Sequence, residues 1–322
     1  MLVGRVRRSI ETRGLIPRGV RVLCACSGGP DSAALLYCLA KLQRELGFEL
    51  IAGSVDHGLR PDAARDVAIA SEQAARVAVP FHRLKVRVEA GSSIQAQARK
   101  ARYEALQELA ARLGASRIAV GHTQDDQAET VLSRLLRGSG LPGLGAIRPL
   151  REDGVVRPLI DCRRADVHRL AATRFERVAQ DMSNRDPKFE RVRIRSHILP
   201  ALLVEDAALI RHLAQLADDA RDCELALEAL SETLIGQLTV DTRTLVASAL
   251  RGQPRAIRVS VLRRFVVRAT GQLPGRAELT QLDRTLCSDR GEVWLAAGAS
   301  VRASGDGHLR VCTRGRQGGG DG

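Results

Sequence analysis

Residues Arg21-Val22-Leu23-Cys24-Ala25-Cys26-Ser27-Gly28-Gly29-Pro30-Asp31-Ser32-Ala33-Ala34-Leu35-Leu36 decide how the chain is read. The run up to Cys26 is apolar, and Ala33 to Ala40 has helical patterning. Between them lie six small, mostly polar residues, which reads as strand, tight turn, helix. The two glycines permit positive φ and let backbone N–H groups come close to a ligand. The turn feeds a helix N-terminus, where unpaired N–H groups and the helix dipole favour an anion. Ser27 and Ser32 add hydroxyl donors. This is a phosphate cradle without the Lys of a Walker A loop. Asp31 fits beside phosphates if a metal ion lies between them. The plain alternative is a Gly-rich turn in which Asp31 or Ser32 caps the helix.

Outward from this loop the pattern repeats. A helix over about 31–45 leads to a strand at Glu49 to Val55, which ends in Asp56-His57-Gly58-Leu59-Arg60. A helix at Ala63–Val79, a strand at Phe81–Val88 and a helix at Ser93–Leu113 follow. The strand Arg117–Val120 then runs into Gly121-His122-Thr123 and a helix from Gln127 to Leu136. Such β–α units predict an α/β domain with a parallel, doubly wound sheet covered on both faces. Ligands bind such sheets beyond the carboxyl ends of the strands, where strand order reverses. Loops 27–32, 56–60 and 121–126 are therefore expected to converge on one crevice.

The second half reads differently. A glycine-rich loop spans Gly138–Pro149, a strand-like segment Gly154–Ile160, and a helix 163–178. Asp181 to Pro187 is a turn, and Arg191 to Leu199 is a basic helix that Pro200 stops. Residues 201–232 read as one acidic amphipathic helix, 254–270 and 276–287 as two more, and Glu292 to Val311 as a hairpin around Gly305-Asp306-Gly307. The expected domains are 1–200 (the α/β domain with the phosphate loop), 201–250 (acidic helical linker), 251–312 (a small α+β domain) and 313–322 (a disordered tail).

The chain of 322 residues carries a net charge of +13 and a pI near 10.4. That suits a polyanionic partner such as nucleic acid. Only four of the 50 basic residues are Lys, and an Arg bias from the base composition of the gene is the plain alternative. Residues 131–200 and 251–322 are each net +7, and 201–250 is net −6. Aromatic residues make up 2%, so base contacts would fall to Arg planes or backbone rather than an aromatic platform. The seven cysteines show no CxxC pair and read as buried free thiols rather than a disulfide or zinc framework. The chain has no apolar run long enough to cross a bilayer and no signal-peptide pattern, so the expectation is a cytoplasmic protein without a membrane partner.

The other dense stretch is Gly121-His122-Thr123-Gln124-Asp125-Asp126-Gln127-Ala128-Glu129-Thr130. Asp126 and Glu129, three apart at a helix start, share a face and could hold an ammonium group or a metal. Read alone, Thr123 or Asp125 caps the helix and the acids complement its dipole.

Ser27 to Ser32 resembles the pyrophosphate-binding loop of the PP-loop ATPases, which split ATP into AMP and pyrophosphate. Several motifs occur in order: Ser27–Ser32, Asp56-His57-Gly58-Leu59-Arg60, Ala98-Arg99-Lys100-Ala101-Arg102-Tyr103, Gly121–Thr130, Arg137-Gly138-Ser139-Gly140, Arg157-Pro158-Leu159 and Asp181-Met182-Ser183-Asn184. Together they look like the tRNA(Ile)-lysidine synthetase family, densely over residues 20–200 and loosely over 250–312. The resemblance implies an adenine-nucleotide α-hydrolase-like fold and a ligase of tRNA processing. Its substrates are ATP, with Mg²⁺, free L-lysine and an isoleucine tRNA whose wobble cytidine is adenylated, lysine then displacing AMP to give lysidine. A homodimer stays open, since no residue pattern decides the oligomeric state.

By the same resemblance, Ser27, Gly28, Gly29, Pro30, Asp31 and Ser32 hold pyrophosphate, with Asp31 placing the metal. Backbone at Ser54, Val55 and Asp56 meets the adenosine, and Arg102 and His122 line the reaction centre together with Asp31 and Asp126. Asp126 and Glu129 hold the lysine ammonium, and Arg191, Arg193 and Arg195 meet tRNA phosphates. Ordinary alternatives stand beside these roles: Asp56 and His57 as turn caps, Arg102 and the Arg191–Arg195 run as solvated charges, His122 as a buried hydrogen-bonded histidine. The family's usual Arg-Asn-Arg-Ile-Arg is Arg191-Val192-Arg193-Ile194-Arg195 here, so an amide is replaced by Val192. The rival readings are a PP-loop thiolase, a small-molecule ligase and a non-catalytic nucleotide-binding protein.

Overall fold

The computed structural model describes residues 2–56, 63–86, 94–179, 188–296 and 298–313. His57 to Arg60, the Asp181–Asn184 motif and the tail after residue 313 lie outside the described residues. The chain divides into two units, 1–220 and 221–322. The division falls inside the stretch expected as a linker, whose first part goes with the N-terminal unit and whose remainder goes with the C-terminal one.

In the first unit, α1 (Leu2–Thr12) is followed by β1 (Arg21–Ala25), α2 (Pro30–Leu46), β2 (Glu49–Asp56), α3 (Ala63–Arg76), β3 (Phe81–Lys85), α4 (Ile94–Arg112) and β4 (Ala115–Ala119). Then come α5 (Gln124–Leu136), α6 (Leu141–Leu144), β5 (Val155–Val156), α7 (Arg164–Arg174), α8 (Glu190–Arg193) and α9 (Leu199–Glu205). The five strands form a parallel sheet in the order β3-β2-β1-β4-β5, as the β–α repeats predict. Strand order reverses between β1 and β4, which puts the switch-point crevice above their carboxyl ends.

Alternation along β1 explains the two covered faces. Val22 and Cys24 enter a core with α1, α2, α3 and α7, which contribute Val6, Leu35, Leu39, Ala70 and Val167. Leu23 points to the other core with Ile51, Leu106, Leu109 and Ile118. α2 buries seven apolar side chains, including Leu35, Leu36, Leu39 and Leu42. At about 1.5–3 kcal/mol for each fully buried leucine, that helix anchors the loop before it. Gly29 is its N-cap, Pro30 opens its first turn, and Gly47 closes it in the left-handed region, donating its N–H to Gln43 O.

Pro200 does not stop the basic helix. Ile194–Ile198 widens into a π-turn in which Leu199 N donates to Ile194 O, and Pro200 then sits in the first turn of α9. A first-turn proline lacks only an N–H that would be unpaired anyway. The acidic helix expected over 201–232 is broken at Asp206, which is extended and accepts from Ala208 N at 2.8 Å. α10 (Leu209–Leu238) starts beyond it.

In the second unit, β6 (Thr239–Asp241), β7 (Thr244–Val246), α11 (Ala247–Arg251), α12 (Arg255–Thr270), α13 (Arg276–Ser288), β8 (Arg290–Trp294), β9 (Ala299–Ser304) and β10 (His308–Thr313) follow. The expected hairpin is part of a five-stranded antiparallel sheet, β6-β7-β10-β9-β8, packed on α12 and α13 through Leu262, Phe265, Leu282 and Val301. β6 and β7, three residues each, are too short for alternation to reveal. Much of this unit's basic charge is paired internally. Arg258 donates to Asp283 at 2.7 and 3.2 Å, Arg264 meets Glu232 at 2.8 Å, and Arg268 meets the same Glu232. Of the seven thiols, Cys24, Cys26, Cys38 and Cys162 are buried, whereas Cys223, Cys287 and Cys312 are exposed, contrary to the expectation of uniform burial. Among the described residues no helix is long and apolar enough to cross a membrane.

Gly28 has φ +79°, and a Cβ there would stand 2.6 Å from Asp66 O. Gly28→Ala is therefore expected to cost about 2–4 kcal/mol, strain and clash together. Gly271, with φ +73° and open space around it, serves as the control. Gly271→Ala should cost only the 1–2 kcal/mol, roughly, that its φ imposes. Urea unfolding of both variants checks the difference.

Candidate functional site

The phosphate loop rests on short-range polar bonds. Ser32 Oγ donates to Gly29 O at 3.0 Å and receives Ser27 N at 3.1 Å, and the two serine hydroxyls are 3.2 Å apart. The Gly28 carbonyl is turned inward, accepting from Ala179 N at 2.8 Å and from Gln73 Nε2 at 2.9 Å. Asp31 Oδ1 lies 3.1 Å from His168 Nε2 of α7. The exit of β4 is pressed against this first turn of α2, since a Cβ on Gly121 would be 3.1–3.2 Å from Asp31 atoms. A side chain at 121 would push the two loops apart, so the glycine is what lets them meet.

β2 pairs with β1 only as far as Ala25↔Gly53 but with β3 as far as Asp56↔Lys85. Ser54, Val55 and Asp56 thus project past β1 toward the same crevice. Ser54 and Asp56 are buried, and Asp56 receives Arg83 at 3.0 Å.

At the start of α5 the capping reading holds, with Thr123 rather than Asp125 as the cap. Thr123 is the N-cap; Asp126 Oδ2 accepts Thr123 N at 2.8 Å and Thr123 Oγ1 at 2.7 Å in a capping box. Its other oxygen, Oδ1, receives Arg164 at 2.8 Å and Arg191 at 2.6 Å, with Arg195 at 3.5 Å. Glu129, one turn on, is met by Arg164 at 2.8 Å, Arg191 at 3.0 Å and Arg195 at 2.7 and 3.0 Å. Two buried carboxylates are enclosed by three guanidiniums. Arg193 does not join them and donates to Lys188 O at 2.9 Å.

The electrostatics follow from that geometry. Burial alone would raise the Asp126 carboxyl; Arg164, Arg191 and the Thr123 N–H outweigh it and hold the group well below its ordinary 3.8. Glu129 is lowered in the same way, Arg195 and Arg164 outweighing burial. Arg164 is raised, because the attraction of Asp126 and Glu129 exceeds its own desolvation. His122 is pulled down to about 3 by burial first and then by the Arg157, Arg99 and Arg191 charges, against the pull of Asp126. Its Nδ1 accepts Arg157 Nε at 3.2 Å. A guanidinium can only donate, so the neutral ring carries its proton on Nε2 and is itself a donor there.

Arg102 is half-buried, and desolvation lowers it. It lies over the Tyr103 ring at 5.7 Å, which Arg99 and Arg151 also approach at 5.2 and 5.4 Å. The crevice is thus strongly electropositive around one acidic pair.

Arg164, Arg157, His168 and Gln73 carry parts of this site that the sequence reading did not assign. One signal existed for Arg164. Arg163 and Arg164 stand at a helix N-terminus, where the dipole disfavours cations, so something else must hold them. Asp125 and the Asp126–Glu129 pair do so.

Residues 6–202 match the family of PP-loop domains. The chain is similar to proteins named tRNA(Ile)-lysidine synthase. It is 36% identical to that of Symbiobacterium thermophilum, over 94% of this chain and 67% of the relative. It is 37% identical to that of Thermobifida fusca, over 89% of each, and 35% identical to that of Rhodopseudomonas palustris, over 88% of each. Among solved structures, the U34-tRNA thiolase NcsA from Methanococcus maripaludis with its [4Fe-4S] cluster has a TM-score of 0.53 at 18% identity. It covers 67% of this chain and 78% of its own, a likeness of fold.

The depressed His122 predicts a pH effect. Below its ordinary 6.5 the unfolded chain takes up a proton at this residue that the folded chain refuses until about pH 3. Stability is therefore lost as pH falls below 6.5, by about 1.4 kcal/mol per pH unit for one proton. Unfolding by urea at pH 7.0 and 5.5 is expected to show a loss of about 1 kcal/mol that His122→Asn removes.

Proposed function

The chain belongs to the tRNA(Ile)-lysidine synthase family, and from that premise we propose that it joins free L-lysine to the wobble cytidine of an isoleucine tRNA, using ATP. The observation that carries the reading is the meeting of two loops at the switch point, where Gly121 of the acidic-pair loop backs onto Asp31 of the phosphate loop. One crevice then serves nucleotide and amine together.

In the proposed reaction the cytidine 2-oxo oxygen attacks the α-phosphorus and pyrophosphate leaves; the amine of lysine then attacks C2 and AMP leaves. Backbone N–H groups at the start of α2, with Ser27 and Ser32, face the departing pyrophosphate. The β2 backbone at Ser54–Asp56 borders the adenosine. Arg102 and the Nε2–H of neutral His122 are donors for charge developing on oxygen. Mg²⁺ fits the donor set, Asp31 being a hard carboxylate beside the cradle, and when bound it would neutralise phosphate charge.

Asp126 and Glu129 take the ammonium of lysine in this reading, and the arginine cage sets a condition. A fourth cation enters only if a guanidinium withdraws. Arg164 is the most enclosed, with 17% of its side chain exposed, while Arg191 and Arg195 expose 49% and 36%. The latter two are the ones tRNA phosphates can draw away, so lysine follows tRNA. The 251–312 domain is assigned to tRNA as well, through the basic residues not paired internally.

Incubation with total tRNA, ATP and labelled lysine, followed by nucleoside mass analysis, is expected to show lysine added to cytidine. Sulfur-for-oxygen exchange, or AMP release without tRNA, would count against the proposal. Glu129→Gln is expected to raise the lysine KM roughly ten- to a hundredfold, the value of one charged hydrogen bond, and to leave the ATP KM within about threefold. Equal losses for both substrates would assign the acidic pair to structure or metal instead.

A further inference from the structure

Gln73 of α3 is 2% exposed and lies beneath the phosphate loop. Its Nε2 donates to Gly28 O at 2.9 Å and to Arg177 O at 3.0 Å. Both neighbours are carbonyl oxygens, so the amide nitrogen must face them. The Oε1 is consequently buried and has no partner among the described residues. A buried, unpaired carbonyl carries a desolvation cost, and an amide kept in spite of it points to a task for its two N–H groups.

The task is legible from peptide geometry. In a trans peptide the C=O and the following N–H point in opposite directions, and no cis peptide occurs among the described residues. With Gly28 O held inward by Gln73 and Ala179, the Gly29 N–H is turned away from α3 to the exposed side of the loop, where it makes a long 3.4 Å bond to Ser27 Oγ. Asp66 O, from the same helix, leaves room at Gly28 for hydrogen only. α3 is thus a template for the peptide that heads α2.

We infer that Gln73 is a positioning residue for the phosphate cradle: by gripping the Gly28 carbonyl it aims the Gly29 N–H at the β- and γ-phosphates of the nucleotide and at departing pyrophosphate. The inference rests on the phosphate-loop reading of residues 27–32. Gln73 itself touches no phosphate.

The test is calorimetric titration of the full chain with inorganic pyrophosphate and, separately, with AMP, both with Mg²⁺. Gln73→Met keeps the length of the side chain and removes both donors and the orphaned acceptor. It is expected to weaken pyrophosphate binding about tenfold, to change AMP binding less than twofold, and to leave the melting temperature within a few degrees. Gln73→Glu is the second variant. Its carboxylate would oppose two carbonyl oxygens, whereas its protonated form restores one O–H donor. The ratio of its pyrophosphate Kd to that of the wild type is therefore expected to fall as pH is lowered. Unchanged pyrophosphate binding in Gln73→Met, or a parallel loss of AMP and pyrophosphate, overturns the inference. Unfolding of both variants at 25 °C overturns it too, because Gln73 is then a folding residue. A wild-type chain that binds no pyrophosphate overturns the phosphate-loop reading and this inference with it.

Discussion

Two carboxylates one helical turn apart cannot stay ionised below a protein surface unless cations come to them. Asp126 and Glu129 are in that position, and Arg164, Arg191 and Arg195 are the cations that come. Without such cations each buried carboxylate would cost several kcal/mol to keep ionised. The constraint therefore reaches well beyond α5. It draws the N-terminus of α7 and the α8–π-turn segment onto one point. The π-turn and the first-turn proline of α9 shape the backbone that carries Arg195.

Around that cluster the crevice is built by exclusion as much as by contact. Gly28 and Gly121 are positions where a side chain would strike backbone, and each lets two elements close up. Guanidiniums gather where carboxylates are few: Arg99, Arg102 and Arg151 share the face of Tyr103, and Arg157 orients His122. Burial first, and then the charges of Arg157, Arg99 and Arg191, keep His122 neutral. In the second unit the arrangement is opposite. There Arg258, Arg264 and Arg268 are matched to Asp283 and Glu232, so part of that unit's basic count is bound within it.

The strand–turn–helix at Arg21–Leu46, the parallel α/β sheet and the membership of a PP-loop family were all legible before any coordinates. Period-2 and period-3.6 patterning and the φ demands of glycine act over a few residues, so local sequence carries them. Thr123 as a helix cap was likewise visible, because capping is a three-residue event. The break at Asp206 and the passage through Pro200 were not, since each depends on hydrogen bonds that local propensity does not reveal.

What the sequence by itself determined is the β–α succession around the phosphate loop and the chemical character of the two loops. What only the tertiary structure decided is which charges meet. Arg191 and Arg195 read as a free basic run for RNA, and Asp126 and Glu129 as free acids for an ammonium. The folded chain joins them, together with an Arg164 that neither pattern included. The pairing partners are 35 to 69 residues apart in sequence. Electrostatic attraction and desolvation depend on distances of a few ångströms in space, and no periodicity along a chain encodes those distances.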